Sequence, residues 1–159
     1  MIAGLRAAAY GLPFMPVRGL EGSSLPEVGE FAEVSCPFTG ERLYAVPALR
    51  PDFALLHVQK ADPEGNASIL GAPFEDVLLS RAARRVILTA EEIVDAEHLK
   101  ERPEMVQIPS FLVEAVVEAP GGALPCACPP LYDYDREEIG RVCHLLKEGR
   151  WEECLKDGD

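Results

Sequence analysis

The stretch that decides the fold is YAVPALRPDFALLHVQKADPEGNASIL, residues 44–70. Within it, Phe53-Ala54-Leu55-Leu56-His57-Val58 follows the punctuation Arg50-Pro51-Asp52. Six residues between turn signals fit a buried strand and are too few for a helix. The run is nearly continuous rather than alternating, so both its faces are expected to be covered, as in a parallel or mixed sheet. It stops at Lys60-Ala61-Asp62-Pro63-Glu64-Gly65-Asn66. Pro63 fixes one φ there, and Gly65 or Asn66 supplies a positive one, which makes a tight turn. Open α/β sheets keep their ligand crevices at the ends of such strands. Asp62, Gly65 and Asn66 are therefore the sharpest local site residues, with a purely structural Asx-type turn as the alternative.

Upstream, residues 2–10 are rich in Ala and Leu and predict a helix that Gly11 caps. Pro13 and Pro16 then force an extended segment. Residues 18–24, Arg-Gly-Leu-Glu-Gly-Ser-Ser, form a loop whose exposed N–H groups suit a carboxylate or phosphate, or simply connect two elements. Residues 31–34 and 41–46 read as short strands around the hairpin Cys36-Pro37-Phe38-Thr39-Gly40.

Downstream, residues 67–70 predict a short strand and residues 77–84 a helix capped by Asp76. Residues 85–89, Arg-Val-Ile-Leu-Thr, predict another strand. Thr89 followed by Glu92 matches a capping box, so a helix is expected from Ala90 to about Leu99. Residues 105–108 are a further strand candidate. Residues 114–119 fit a strand or a helical turn. The Gly/Pro-rich residues 121–130 are a loop lying across the body, and residues 136–147 a final helix stopped by Gly149. A last turn follows over 151–156, with Trp151 packed back on the body. Strand, helix and strand in this order give a crossover in a mainly parallel sheet.

Several of these segments together resemble one family. LRAAAYGLPFMPVRGLEGSSL, Cys36-Pro37-Phe38-Thr39-Gly40-Glu41, AVPALRPDFALLHVQKADPEGNASI and Val116-Val117-Glu118-Ala119-Pro120 look like the alpha (A) subunit of family I coenzyme A transferases, glutaconate CoA-transferase type. The resemblance covers nearly all of this sequence but only the C-terminal half or so of the family's subunit. The family's Gly-rich N-terminal strand-loop-helix lies upstream of the matched part. Leu124 stands where the family often has His. The resemblance implies an α/β domain spanning residues 1–159, its mainly parallel sheet flanked by helices, similar to the NagB/RpiA/CoA-transferase-like fold and incomplete on its N-terminal side.

It also implies a CoA-transferase subunit that takes a coenzyme A thioester as substrate and holds no tightly bound cofactor. The family's glutamate nucleophile maps to no position here, so no catalytic residue is assigned. That carboxylate would come from a beta-type subunit or a separate Gly-rich N-terminal half, in an oligomer. Arg18, Gly22, Ser23, Ser24, Asp62, Gly65 and Asn66 would line the substrate and CoA cavity. A noncatalytic assembly or regulatory domain, and an acyl-CoA hydrolase or C–C cleaving enzyme of the same family, are the alternatives.

Composition sets outer limits. The chain has 159 residues, enough for one cored domain, with 48% apolar and 26% charged residues. Its net charge of -12 argues against nucleic acid and anionic membranes as partners. No apolar run approaches the roughly 20 residues of a membrane span, and no signal-peptide pattern opens the chain. Five cysteines without framework spacing point to reduced thiols and a cytoplasmic setting. Cys126-x-Cys128 with Cys143 or His144 lacks zinc-site spacing, so no metal site is expected. His57 reads as a core histidine with a local partner. His98 and His144 read as surface residues. A Ser23, His57 and Asp62 triad exists only on paper. Glu41 and Glu64 are carboxylates near loop glycines without a catalytic pattern.

Overall fold

The structure is a computed structural model that describes residues 1–155. The Ala-rich opening is helix α1 (Ile2–Ala9). Gly11 ends it at φ 70°, letting the Leu12 N–H donate to the Ala7 carbonyl at 2.8 Å. β1 (Phe14–Val17), a single-turn α2 (Leu25–Val28), β2 (Ala32–Ser35) and β3 (Arg42–Pro47) follow. β1 and β2 both pair antiparallel with β3, giving a three-stranded sheet in the order β1-β3-β2.

The second sheet holds the deciding stretch. β4 (Phe53–Ala61) is followed by β5 (Ala67–Ser68), α3 (Asp76–Ala82), β6 (Arg85–Ile93), α4 (Ala96–Lys100), β7 (Val113–Glu118) and α5 (Arg136–Lys147). Its order is β5-β4-β6-β7. β4, β6 and β7 run parallel, and β5 joins antiparallel at Lys60 and Ala61 alone. The chain is thus α/β, with a mixed sheet whose parallel part is built on the expected β4–α3–β6 crossover.

The core lies on one face of this sheet. Ala54, Leu56 and Val58 alternate inward from β4, and Val86, Leu88 and Ala90 from β6. Ile108 and the α3 side chains Val77 and Leu79 close over them. Burying a side chain such as Leu88 contributes about 1.5–3 kcal/mol. α1 packs on α3 through Leu5, Ala8 and Ala82.

Five sequence expectations need correction. Asp76 does not cap α3: it is the first residue of the helix, Glu75 holds the N-cap position, and no side-chain cap hydrogen bond forms there. The run at 53–58 is not covered on both faces: Leu55 is 73% exposed and Phe53 45%. The capping box at Thr89 does not start a helix. β6 runs on to Ile93, because its backbone stays paired with Lys60 and Ala61 of β4 and with Glu118 of β7. Residues 105–108 are not a strand: Pro103–Met105 is a 3-10 turn, and Ile108 alone bridges to Ala67. Trp151 does not pack back on the body; it is 57% exposed in the 3-10 segment Trp151–Leu155. Lys156, assigned to that last turn, lies outside the described residues. The open choice over 114–119 resolves as strand β7. Among the described residues, no helix is long and apolar enough to cross a membrane.

Candidate functional site

Glu91 is the centre of a dense polar cluster among the described residues, and sequence reasoning missed it. β4 and β6 are aligned so that His57 sits opposite Thr89. Glu91 lies two residues further along β6, on the same face as Thr89. His57 Nε2–H donates to Glu91 Oε1 at 2.7 Å, while its Nδ1 and Thr89 Oγ1 share a hydrogen bond of 2.8 Å. With the proton on Nε2, Nδ1 of a neutral ring accepts from the Thr89 hydroxyl.

Residues 119–132 fold over this face as a strap. The Ala119 N–H donates to the Ala90 carbonyl at 2.7 Å, and the Gly121 N–H to Glu91 Oε2 at 2.7 Å. Tyr132 donates its phenol proton to Glu91 Oε1 and accepts the Ala123 N–H at 3.1 Å. Gln59 ties the far side: its Nε2–H donates to the Pro129 carbonyl at 2.7 Å, and its Oε1 accepts the Leu70 N–H at 3.0 Å.

These bonds set the electrostatics. Burial works against an ionised Glu91, but hydrogen bonds from Tyr132, Gly121 and His57 outweigh it and hold the carboxyl below its ordinary value. The Tyr132 phenol is pushed up to about 12, first by burial and then by the Glu91 carboxylate that its proton serves. Burial and the same carboxylate raise the Cys128 thiol. Donor atoms of His57, Glu91 and Cys128 lie within 4.8 Å of one another. Glu91 already accepts from three protein donors, however, and burial favours the thiol form of Cys128. The arrangement is that of a carboxylate anchoring a strap.

The residues expected to line a substrate cavity fall into two places. Asp62 is fully buried. Its Oδ1 accepts the N–H groups of Glu64 and Asn66, both at 2.9 Å, and its Oδ2 accepts from Asn66 Nδ2 at 2.8 Å. Asn66 Oδ1 in turn accepts the Ser110 N–H at 3.0 Å. Gly65, at φ 100°, turns the chain against Val113. Asn66 also lines a groove of about 420 Å³ with Leu99 and Lys100.

Arg18, Gly22, Ser23 and Ser24 lie beside the three-stranded sheet instead. Arg18 pairs with Glu41 at 2.6 Å, Ser23 Oγ donates to the Leu20 carbonyl at 2.8 Å, and Ser24 precedes α2. No hydrogen bond or ion pair among the described residues joins the two loops. The paper triad is not assembled, since His57 belongs to Glu91 and Asp62 to Asn66. Glu41 and Glu64 are both in ion pairs, with Arg18 and Lys100. A second cavity of about 740 Å³ opens between the strap and α5, with Gly121, Leu124, Asp135 and Arg141 in its lining.

The comparisons with known proteins bear on this architecture. Residues 1–119 match the coenzyme A transferase family. The chain belongs to that family. It is 40% identical over 146 residues to the A subunit of glutaconate CoA-transferase from Acidaminococcus fermentans, covering 81% of this chain and 46% of that protein. It is 41% identical over 145 residues to the cholesterol ring-cleaving hydrolase IpdA subunit of Mycobacterium tuberculosis, covering 85% and 49%.

Among solved structures, the decarboxylase AibA/AibB superposes with a TM-score of 0.85 at 40% identity, over 98% of this chain and 57% of that one. Glutaconate coenzyme A-transferase of A. fermentans superposes with a TM-score of 0.85 at 34% identity, over 95% and 56%. The chain therefore spans about half the length of these relatives. The resemblance in the deciding stretch, and the family fold it implied, are both borne out.

Proposed function

We propose that this chain serves as part of a CoA-transferase A-type subunit that moves coenzyme A between carboxylic acids, with the nucleophilic glutamate on a partner chain. The observation that supports this is the family match over residues 1–119 combined with the state of the carboxylates. Thioester exchange needs a carboxylate free to attack the acyl carbon, and N–H donors to hold the resulting oxyanion. The most buried candidate, Glu91, is committed to Tyr132, Gly121 and His57. A carboxylate so bonded is stabilised as an anion and is a poor nucleophile.

In this reading the two loops first marked in the sequence supply binding rather than chemistry. Arg18, Gly22, Ser23 and Ser24 would offer a cation and backbone donors to the anionic end of the CoA thioester. Gly65 and Asn66 would border the groove beside Lys100, with Asp62 keeping their turn closed. The chain's charge of -12 makes such local basic groups, and those of a partner, necessary for a polyanionic ligand.

The test is co-expression with a B-type CoA-transferase subunit, followed by purification and an assay of CoA exchange between acyl-CoA thioesters and free carboxylic acids. Exchange by the complex and none by the chain alone is expected. Turnover by the isolated chain, abolished by changing one of its own glutamates, would overturn the reading. A second reading, hydrolysis or C–C cleavage of an acyl-CoA, is favoured by the equally strong likeness to the IpdA hydrolase and to the AibA/AibB decarboxylase. Product analysis separates the two: a new thioester marks transfer, and a free acid or carbon dioxide marks the alternative.

A further inference from the structure

A cavity of about 260 Å³ opens between α1 and α3, away from both marked loops and from the strap. Arg6 and Tyr10 reach it from one face of α1, four residues apart, and Leu78 and Arg81 from α3. Phe74 and Glu75 border it from the turn that enters α3.

Its arginines have no protein partner. With 27 Asp and Glu against 15 Lys and Arg, carboxylates are plentiful in this chain. Arg18, Arg42, Arg84, Arg85, Arg141 and Arg150 each pair with one. Arg6 and Arg81 form neither an ion pair nor a side-chain hydrogen bond with any described residue. Two guanidiniums against the single carboxylate of Glu75 leave the cavity positive in a chain whose net charge is -12.

Its aromatic rings are open to solvent. Tyr10 is 65% exposed and Phe74 83%. Among the described residues, Phe74 alone has a positive φ without being glycine, at 40°. It holds the second position of a turn in which the Asp76 N–H donates to the Pro73 carbonyl at 2.9 Å, a place where glycine is usual. Glycine would suit that backbone better, and so exposed a ring adds little burial. Neither conformation nor packing accounts for a phenylalanine there.

We propose that this cavity binds a purine nucleotide. Guanidiniums free of carboxylates are the groups that take phosphate oxygens. A purine presents a flat face for the exposed rings of Tyr10 and Phe74 to stack on. Glu75 is an acceptor for ribose hydroxyls, the part an acidic side chain plays in many nucleotide sites. The cavity is smaller than the roughly 300 Å³ at which drug-sized pockets begin, so it holds one end of the ligand while the rest lies along the rings. A free nucleotide and the adenosine end of a coenzyme A offer this same chemistry. The assignment does not rest on the proposed transfer reaction.

The test is calorimetric titration of the purified chain with ADP, coenzyme A, pantetheine and pyrophosphate. ADP should bind, and pyrophosphate and pantetheine should bind at least about tenfold more weakly. Arg81→Glu and Phe74→Gly should each weaken ADP by about tenfold or more. Arg136→Glu changes the net charge equally at another exposed arginine, on α5, and should leave ADP binding unchanged. Because glycine suits the backbone at 74, Phe74→Gly should keep or raise the melting temperature, so its loss of binding is not a loss of fold.

Coenzyme A binding more tightly than ADP, with the same dependence on Arg81 and Phe74, supports the site and makes the coenzyme's nucleotide its ligand. ADP binding more tightly supports it as a site for a free nucleotide. No binding of either overturns the proposal. So does binding that Arg81→Glu and Phe74→Gly leave intact, or that Arg136→Glu weakens equally. Pyrophosphate binding as tightly as ADP also overturns it, by reducing the cavity to a patch for any anion.

Discussion

Gly122 lies against the imidazole of His57: a β-carbon at this glycine would sit 2.9 Å from His57 Cε1 and 2.8 Å from the Ala119 carbonyl oxygen. Neither neighbour can yield easily. The ring is held at both nitrogens, and the carbonyl accepts the N–H of Gly122 itself at 2.9 Å. Gly122→Ala should therefore lift the strap and cost about 1–3 kcal/mol, the usual range for overpacking. Denaturant unfolding measures the loss, and faster exchange of the Gly121 amide locates it. An unchanged midpoint would show that the strap yields without strain.

Glu91 accepts from three donors that converge on one carboxylate. Glu91→Ala leaves Tyr132, Gly121 and His57 with buried, unpaired hydrogens, each costing about 1–3 kcal/mol. A total near 3 kcal/mol or more is expected. Glu91→Gln keeps one acceptor oxygen but turns an amide donor toward the others, so a smaller loss of about 1–2 kcal/mol follows. Equal losses in the two variants would mean that shape, rather than hydrogen bonding, holds the strap.

The pH dependence has a definite sign at both ends. The folded Glu91 carboxyl lies below its ordinary value of 4.5, so its contribution is fully present above that value. It is lost as pH falls from 4.5 through the folded value, because the unfolded chain takes up the proton first. Glu91→Gln should flatten this acid limb in unfolding experiments. Tyr132 acts at the other end. Its folded value of about 12 against an ordinary 10 gives stability that is complete below pH 10 and lost between pH 10 and 12. Tyr132→Phe should remove that alkaline loss. Identical pH profiles for wild type and both variants would contradict the network.

The two marked loops should separate when tested. Asp62 is buried and accepts three hydrogen bonds within its own turn. Asp62→Ala should cost about 2–3 kcal/mol, whatever the chain binds. Arg18 is exposed and paired only across the surface, so Arg18→Ala should leave the unfolding midpoint where it is. If the 18–24 loop receives the CoA thioester, the same variant weakens CoA binding by the assembled enzyme, as calorimetry would read. Unaltered binding would remove Arg18 from the site.

Local sequence determined a good part of this protein. The Pro-bounded run at 53–58, the Gly11 cap, the Asp62–Asn66 turn and the helix Arg136–Lys147 all follow from signals within a few residues. Backbone propensity and turn chemistry act at that range. The family was legible for the same reason, since its segments are contiguous.

Only the tertiary structure decided the rest. Thr89 and Glu92 have the spacing of a helix start, but pairing with β4 and β7 keeps β6 extended to Ile93. Once β6 is a strand, alternation puts Glu91 on the face of His57, a signal present in the sequence but hidden by the competing cap motif. Tyr132 reaches the same carboxylate from 41 positions away, and nothing local announces it. Hydrophobic pattern shows which residues seek burial; which face of a strand is actually covered depends on the layers the rest of the polypeptide places there.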